Sequence, residues 1–76
     1  MQRTELLHYL DAAKRHAEQG EIHILKQKQL IVALSSMGTE TVQAERILQF
    51  FEEAQEDNLA NVERILDALD RLPVVS

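Results

Sequence analysis

One rhythm limits what this chain can fold into. Apolar side chains recur every seven residues, and the rhythm reverses about Met37-Gly38-Thr39-Glu40-Thr41. Before that stretch one column holds Leu6, Ala13, Gly20, Gln27 and Leu34, and another holds Leu10, Ala17, Ile24 and Ile31. After it the columns are Ala44, Phe51, Asn58, Ile65 and Leu72, then Leu48, Gln55, Val62 and Leu69. A sustained seven-residue spacing marks helices that bury one stripe against another helix. Flanking residues widen the stripe. They are Tyr9, His16, His23, Leu30 and Met37 on the first segment, and Ile47, Ala54, Ala68, Leu59 and Leu66 on the second. That width suits a bundle better than a narrow two-stranded seam.

The central stretch reads as a turn. Gly38 ends the first helix, because glycine enters the left-handed region without a side-chain penalty. Thr39 and Thr41 each offer a hydroxyl to cap the next helix, and Glu40 and Glu45 place negative charge near its positive end. Thr4 is the expected cap of the first helix, with Glu5 in its first turn. Pro73 cannot continue a helix, so residues 73–76 form a short tail. The expected bounds are a helix over about 4–37, a turn over about 37–41 and a helix over about 41–72, each helix about 50 Å long.

Folding at Gly38 brings together positions whose numbers sum to about 78. Leu34 then meets Ala44, Gln27 meets Phe51, Gly20 meets Asn58, Ala13 meets Ile65, and Leu6 meets Leu72. The expectation is an all-α antiparallel two-helix hairpin, one helical domain over 1–76. Such a hairpin has no closed core, and the common remedy is a homodimer that makes a four-helix bundle. Gly20 carries the alternative, a break at Glu18–Glu21 giving a three-helix bundle. The rhythm passes through Gly20 in phase, so a continuous helix is expected, with the glycine allowing close approach of a neighbouring backbone.

Composition narrows the function classes. The 76 residues include no cysteine and no tryptophan, one tyrosine and two phenylalanines. No disulfide or thiolate metal site is available, and a chain this small with so few aromatics buries a modest core unless a partner helps. No signal peptide is expected from the start Met1-Gln2-Arg3-Thr4-Glu5, and the longest apolar run, Leu30 to Leu34, is far short of a membrane span. A cytoplasmic protein with no membrane partner is the expectation. Residues 1–37 carry five Lys/Arg and four acids, net +1; residues 38–76 carry three Arg and nine acids, net −6; together they give the net −5. An acidic surface repels phosphate backbones, which argues against a nucleic acid as main partner.

Candidate chemistry is sparse. His16 and His23 share a helix face with Tyr9, but the second segment has no histidine, and Glu5-Leu6-Leu7-His8 has both ends turned outward. No metal and no cofactor are expected. Ser35 and Ser36 have no histidine placed to activate them, and no glycine-rich phosphate loop is present. Lys14-Arg15-His16, Lys26 and Lys28 read as a solvated face diluted by Glu18 and Glu21. The acidic run from Glu52 to Asp57 reads as solvated surface or a docking site for a basic partner.

Gln27, Gln55 and Asn58 lie on the stripe, where amides need hydrogen-bond partners. With His23 they are the candidates for a register-setting polar layer or a polar pocket. The interface candidates are Tyr9, Ile24, Leu30, Ile31, Phe51, Leu59, Val62 and Leu66. Ile22, Leu25, Val32 and Phe50 fall off the main face, as scattered exposed apolar residues often do. The functional expectation is a non-catalytic structural or protein-interaction module, a homodimer with an unidentified protein partner. A regulatory nucleic-acid-associated bundle is the alternative, and a metal- or ligand-binding bundle is remote.

Residues 20–66 carry a diffuse pattern: Gly20-Glu21, His23-Ile24, Gln27, Leu34, Gly38, Thr41, Ala44, Ile47-Leu48, Phe51-Glu52 and Gln55. In these the chain resembles a group of small bacterial helical proteins with no established activity. That resemblance implies a helical hairpin and no particular chemistry. Members often have a histidine where Asn58 stands here.

Overall fold

The computed structural model describes residues 2–73. Val74, Val75 and Ser76 of the expected tail lie outside the described residues. Two α-helices, α1 (Arg3–Ser36) and α2 (Val42–Asp70), pack side by side along their length. α1 runs through Gly20 without a break, so the three-helix alternative does not apply. The molecule is a rod of 64 × 14 × 12 Å, one helix thick.

The turn follows from Gly38, the one described residue at positive φ, +71°. The Thr39 amide donates to the Leu34 carbonyl at 2.9 Å, and the Gly38 amide donates to that of Ser35 at 3.0 Å. These are the two bonds of a Schellman motif, which satisfy carbonyls that the end of α1 leaves free. The Met37 amide donates to the carbonyls of Ala33 and Leu34, both at 3.2 Å.

The helix starts differ from expectation. Gln2, not Thr4, is the N-cap of α1, and its amide donates to Glu5 Oε1 at 3.4 Å, the reciprocal half of a capping box. Thr4 sits inside the first turn. Thr41 holds the N-cap position of α2, yet its hydroxyl makes no capping bond, and neither does that of Thr39. Its contribution is the backbone carbonyl, which accepts from the Glu45 amide at 2.8 Å. The negative end of Glu45 in the first turn is left to favour that helix start.

Packing is uneven along the rod. Leu6, Leu10 and Ala13 are buried at the end far from the turn, and Ala44 is buried near it, with Gln27 the one buried polar residue among the described residues. Between these, Ala17, Gly20, Ile24, Phe51, Gln55 and Asn58 are half-buried. The register is tighter than uniform seam-on-seam pairing. Gly20 faces Asn58 as expected. Gln27 and Phe51 line one depression, where the Gln27 amide donates to the Ala44 carbonyl and the Phe51 ring lies against His23. The Gln55 bond to Ala17 and the His23–Phe51 contact place the helices about one turn off the expected level, and at that level Ala44 lies within reach of Gln27.

Replacing Gly38 by alanine keeps the fold but forces a Cβ into the left-handed region, since the space around it is open. The expected loss is about 1 kcal/mol in urea unfolding. An unchanged unfolding midpoint would mean that the turn relaxes into another conformation.

Candidate functional site

The middle of the rod is built around an absent methyl. A Cβ placed on Gly20 would fall on Gln55 Oε1, 2.9 Å from Gln55 Cδ and 3.2 Å from Asn58 Nδ2. The hydrogen in its place leaves a notch in α1, and the Gln55 amide lies in it. From there Gln55 Nε2 donates to the Ala17 carbonyl at 2.8 Å, and Asn58 Nδ2 donates to Gln55 Oε1 at 3.1 Å. Ala17 lies one turn before Gly20 on the same helix. Removing the side chain that would overhang this carbonyl is what opens it to a second donor.

A reciprocal tie sits closer to the turn. Gln27 of α1 donates through Nε2 to the Ala44 carbonyl of α2 at 2.9 Å, and this side chain is 9% exposed. Each helix therefore sends one glutamine to a backbone carbonyl of the other. Each such bond contributes about 1 kcal/mol, and losing one while its partner stays buried costs more. Among the described residues no buried side-chain nitrogen or oxygen lacks a partner.

The four polar candidates are thus distributed over three places. Gln55 and Asn58 meet over Gly20, Gln27 acts alone toward the turn, and His23 lies on the surface. The His23 ring packs on Phe51 with centroids 5.6 Å apart and planes 38° inclined. Phe50 meets Phe51 edge-on at 6.4 Å and is 66% exposed.

The rod presents two broad sides. On one, Ala17, Ile24, Gln55 and Leu59 line a groove whose rim carries Glu18, Glu21, Lys28 and Glu52. Ile22 and Leu25, which the sequence places off the main face, form part of its wall. The seven-residue spacing continues this side through Ile31, Val62 and Leu66. On the other side His16, Gln19, His23, Lys26, Leu30 and Phe51 line shallower depressions. Tyr9 belongs to the same column as His16, His23 and Leu30. The interface candidates therefore divide: Ile24, Ile31, Leu59, Val62 and Leu66 on the grooved side; Tyr9, Leu30 and Phe51 on the other. Val32 points away from both helices' contact and is 65% exposed.

The remaining polar chemistry is local. Asp11 pairs with Arg15, and Asp67 with Arg71 at 3.0 Å, each one turn apart and exposed. Such pairs contribute a few tenths of a kcal/mol. Ser36 Oγ donates to the Val32 carbonyl at 2.9 Å. Among the described residues, no three His, Asp or Glu side chains converge, and no helix is long and apolar enough to cross a membrane. No protein-family model, curated protein or solved structure matches the chain.

The notch makes a signed prediction. By helix propensity alone, Gly20→Ala in α1 stabilises by about 1 kcal/mol. Here the new methyl displaces the Gln55 amide and breaks its bond to Ala17, so the expected result is no gain or a net loss of up to about 1 kcal/mol. In a Gln55→Ala background the same change should stabilise. Urea unfolding of the four proteins reads the sign reversal; additive effects would show that the contact does not couple the helices.

Proposed function

We propose that this chain acts without catalysis, as a structural or protein-interaction module in which two hairpins associate into a four-helix bundle. The observation that carries the reading is exposed apolar surface. Among the described residues Leu6, Leu10, Ala13 and Ala44 are the buried apolar ones, whereas Leu7, Tyr9, Leu25, Leu30, Leu59 and Leu66 are among the large apolar side chains left at least two-fifths exposed.

Accessible area supports the same reading. The chain exposes 6165 Å², whereas a folded monomer of this mass exposes about 4,700 Å². The excess of roughly 1,400 Å² exceeds the ~800 Å² that a standard interface takes from each partner. The radius of gyration, 17.6 Å, compares with about 11 Å for a compact chain of this length. A second hairpin laid along the first removes the excess and makes a bundle of ordinary thickness.

The side with Tyr9, His23, Leu30 and Phe51 would remain open to a further protein. α2 is an unfavourable surface for nucleic acid: its eight acids and two arginines give net −6. The small basic clusters of α1 lie next to it.

Sedimentation velocity tests the association. The expected species has twice the 8.7 kDa chain mass at micromolar concentration. A single 8.7 kDa species persisting to hundreds of micromolar would remove the basis of the proposal.

A further inference from the structure

Resting on that reading, we infer which side of the hairpin pairs and how: the grooved side receives a second copy of this chain, α1 of each lying on α2 of the other, with both Gly38 turns at the same end of the bundle. The grooved side carries the longer apolar strip, with Ala17 and Ile24 at its floor and Leu59, Leu66 and Ile31 extending it. The opposite side is interrupted by His16, Gln19, His23 and Lys26. A self-complementary interface should take the first.

Two twofold arrangements can stack these sides face to face. With the axis along the rod, α1 lies on the second copy's α2 and the turns coincide. With the axis across the rod, α1 lies on the second copy's α1, α2 lies on its α2, and the turns are at opposite ends. Charge on the groove rim distinguishes them. The rim column of α1 is Leu7, Lys14, Glu21, Lys28 and Ser35, with Glu18 outside it; that of α2 is Glu45, Glu52, Leu59 and Leu66.

Levels along the rod follow from the contacts within one hairpin, His23 with Phe51 and Gly20 with Gln55 and Asn58. With turns together, those levels put Lys28 between Glu45 and Glu52 of the second copy, Lys14 between its Leu59 and Leu66, and Glu21 between its Glu52 and Leu59. Both lysines then meet either acids or apolar surface that their stems can cover, while Glu21 comes near the second copy's Glu52, the one like-charge approach within these columns. With turns apart and the axis crossing at Glu21, the middle of the α1 rim column, Lys14 falls on the second copy's Lys28, twice by symmetry, and Glu21 falls on its own equivalent. Like charges facing across an interface oppose association. The near-neutral α1 also faces the strongly acidic α2 only in the first arrangement, while the second sets α2 against α2.

The chain has no cysteine, so a Thr39→Cys variant takes a single spin label at the exposed turn. Pulsed dipolar spectroscopy then measures the turn-to-turn distance in the full-length protein. Turns together predict a distance below about 30 Å, set by helix spacings of 8–10 Å plus the label arms. A distance near the length of α1, about 50 Å, overturns the pairing while leaving a dimer. No dipolar coupling, with the 8.7 kDa monomer mass, overturns the pairing and the association together.

Lys28→Glu gives a second readout through the dimer dissociation constant. It should weaken the dimer roughly tenfold, and adding Glu52→Lys should restore it. With turns apart about an axis at Glu21, the same Lys28→Glu change relieves the contact with Lys14 and tightens the dimer. Leu59→Glu should abolish association, whereas Leu30→Glu, on the opposite side, should leave it intact. Loss with Leu30→Glu alone would assign the interface to the wrong side.

Discussion

The spacing between the two helices rests on a hydrogen atom at Gly20, where the other residues of the helix contact have carbon. At Gly20 the backbone of α1 is bare, and the Gln55 amide occupies the space a methyl would fill. This contact fixes three things together: how close the helices come, their level along the rod, and which carbonyl is available for a second bond. Ala13, Ala17 and Ala44 keep the approach close on either side of it. Asn58 holds the Gln55 oxygen in turn, so the amide has one orientation that satisfies both its ends.

A join of this kind specifies position better than it stabilises. The glutamine bonds to Ala17 and Ala44 contribute about 1 kcal/mol each, comparable with burying part of one leucine side chain. Small residues along the contact leave little apolar area to remove from water. The larger side chains, Ile24, Ile31, Leu48, Leu59, Val62 and Leu66, stand half-covered or exposed along one side. Close approach within the hairpin and the wide apolar strip outside it are therefore two consequences of one choice of residues. The polar ties set the register, and the driving force for a compact particle lies on the surface, where a second hairpin can use it.

Much of the hairpin was legible in the sequence because its causes are periodic. The seven-residue rhythm implied two helices on opposite sides of Gly38, and its unbroken phase across Gly20 implied that α1 continues. The caps were read less well. Thr4 and Thr41 have hydroxyls suited to capping, but Gln2 takes the cap position with Glu5 bonded to its amide, and the Thr41 side chain makes no capping bond. The interhelix ties were hidden for a different reason. Their acceptors are backbone carbonyls, which every residue has, and only packing reveals that those of Ala17 and Ala44 lie within reach. The bond of Gln27 to Ala44 depends on the level of one helix against the other, which spacing alone does not fix. The same holds for the division of the apolar flank into two sides. Heptad position ranks residues around a helix, but the rotation of each helix about its own axis decides which flank the contact covers.

The central claim is that a single hairpin leaves too much apolar surface exposed to be the stable unit. Equilibrium urea unfolding, followed by circular dichroism over a thousandfold range of protein concentration, tests it most directly. If folding and association are one process, each tenfold rise in concentration adds about 1.4 kcal/mol to the apparent stability and moves the midpoint upward. Superimposable curves at every concentration would show a hairpin that stands alone, and would contradict the account.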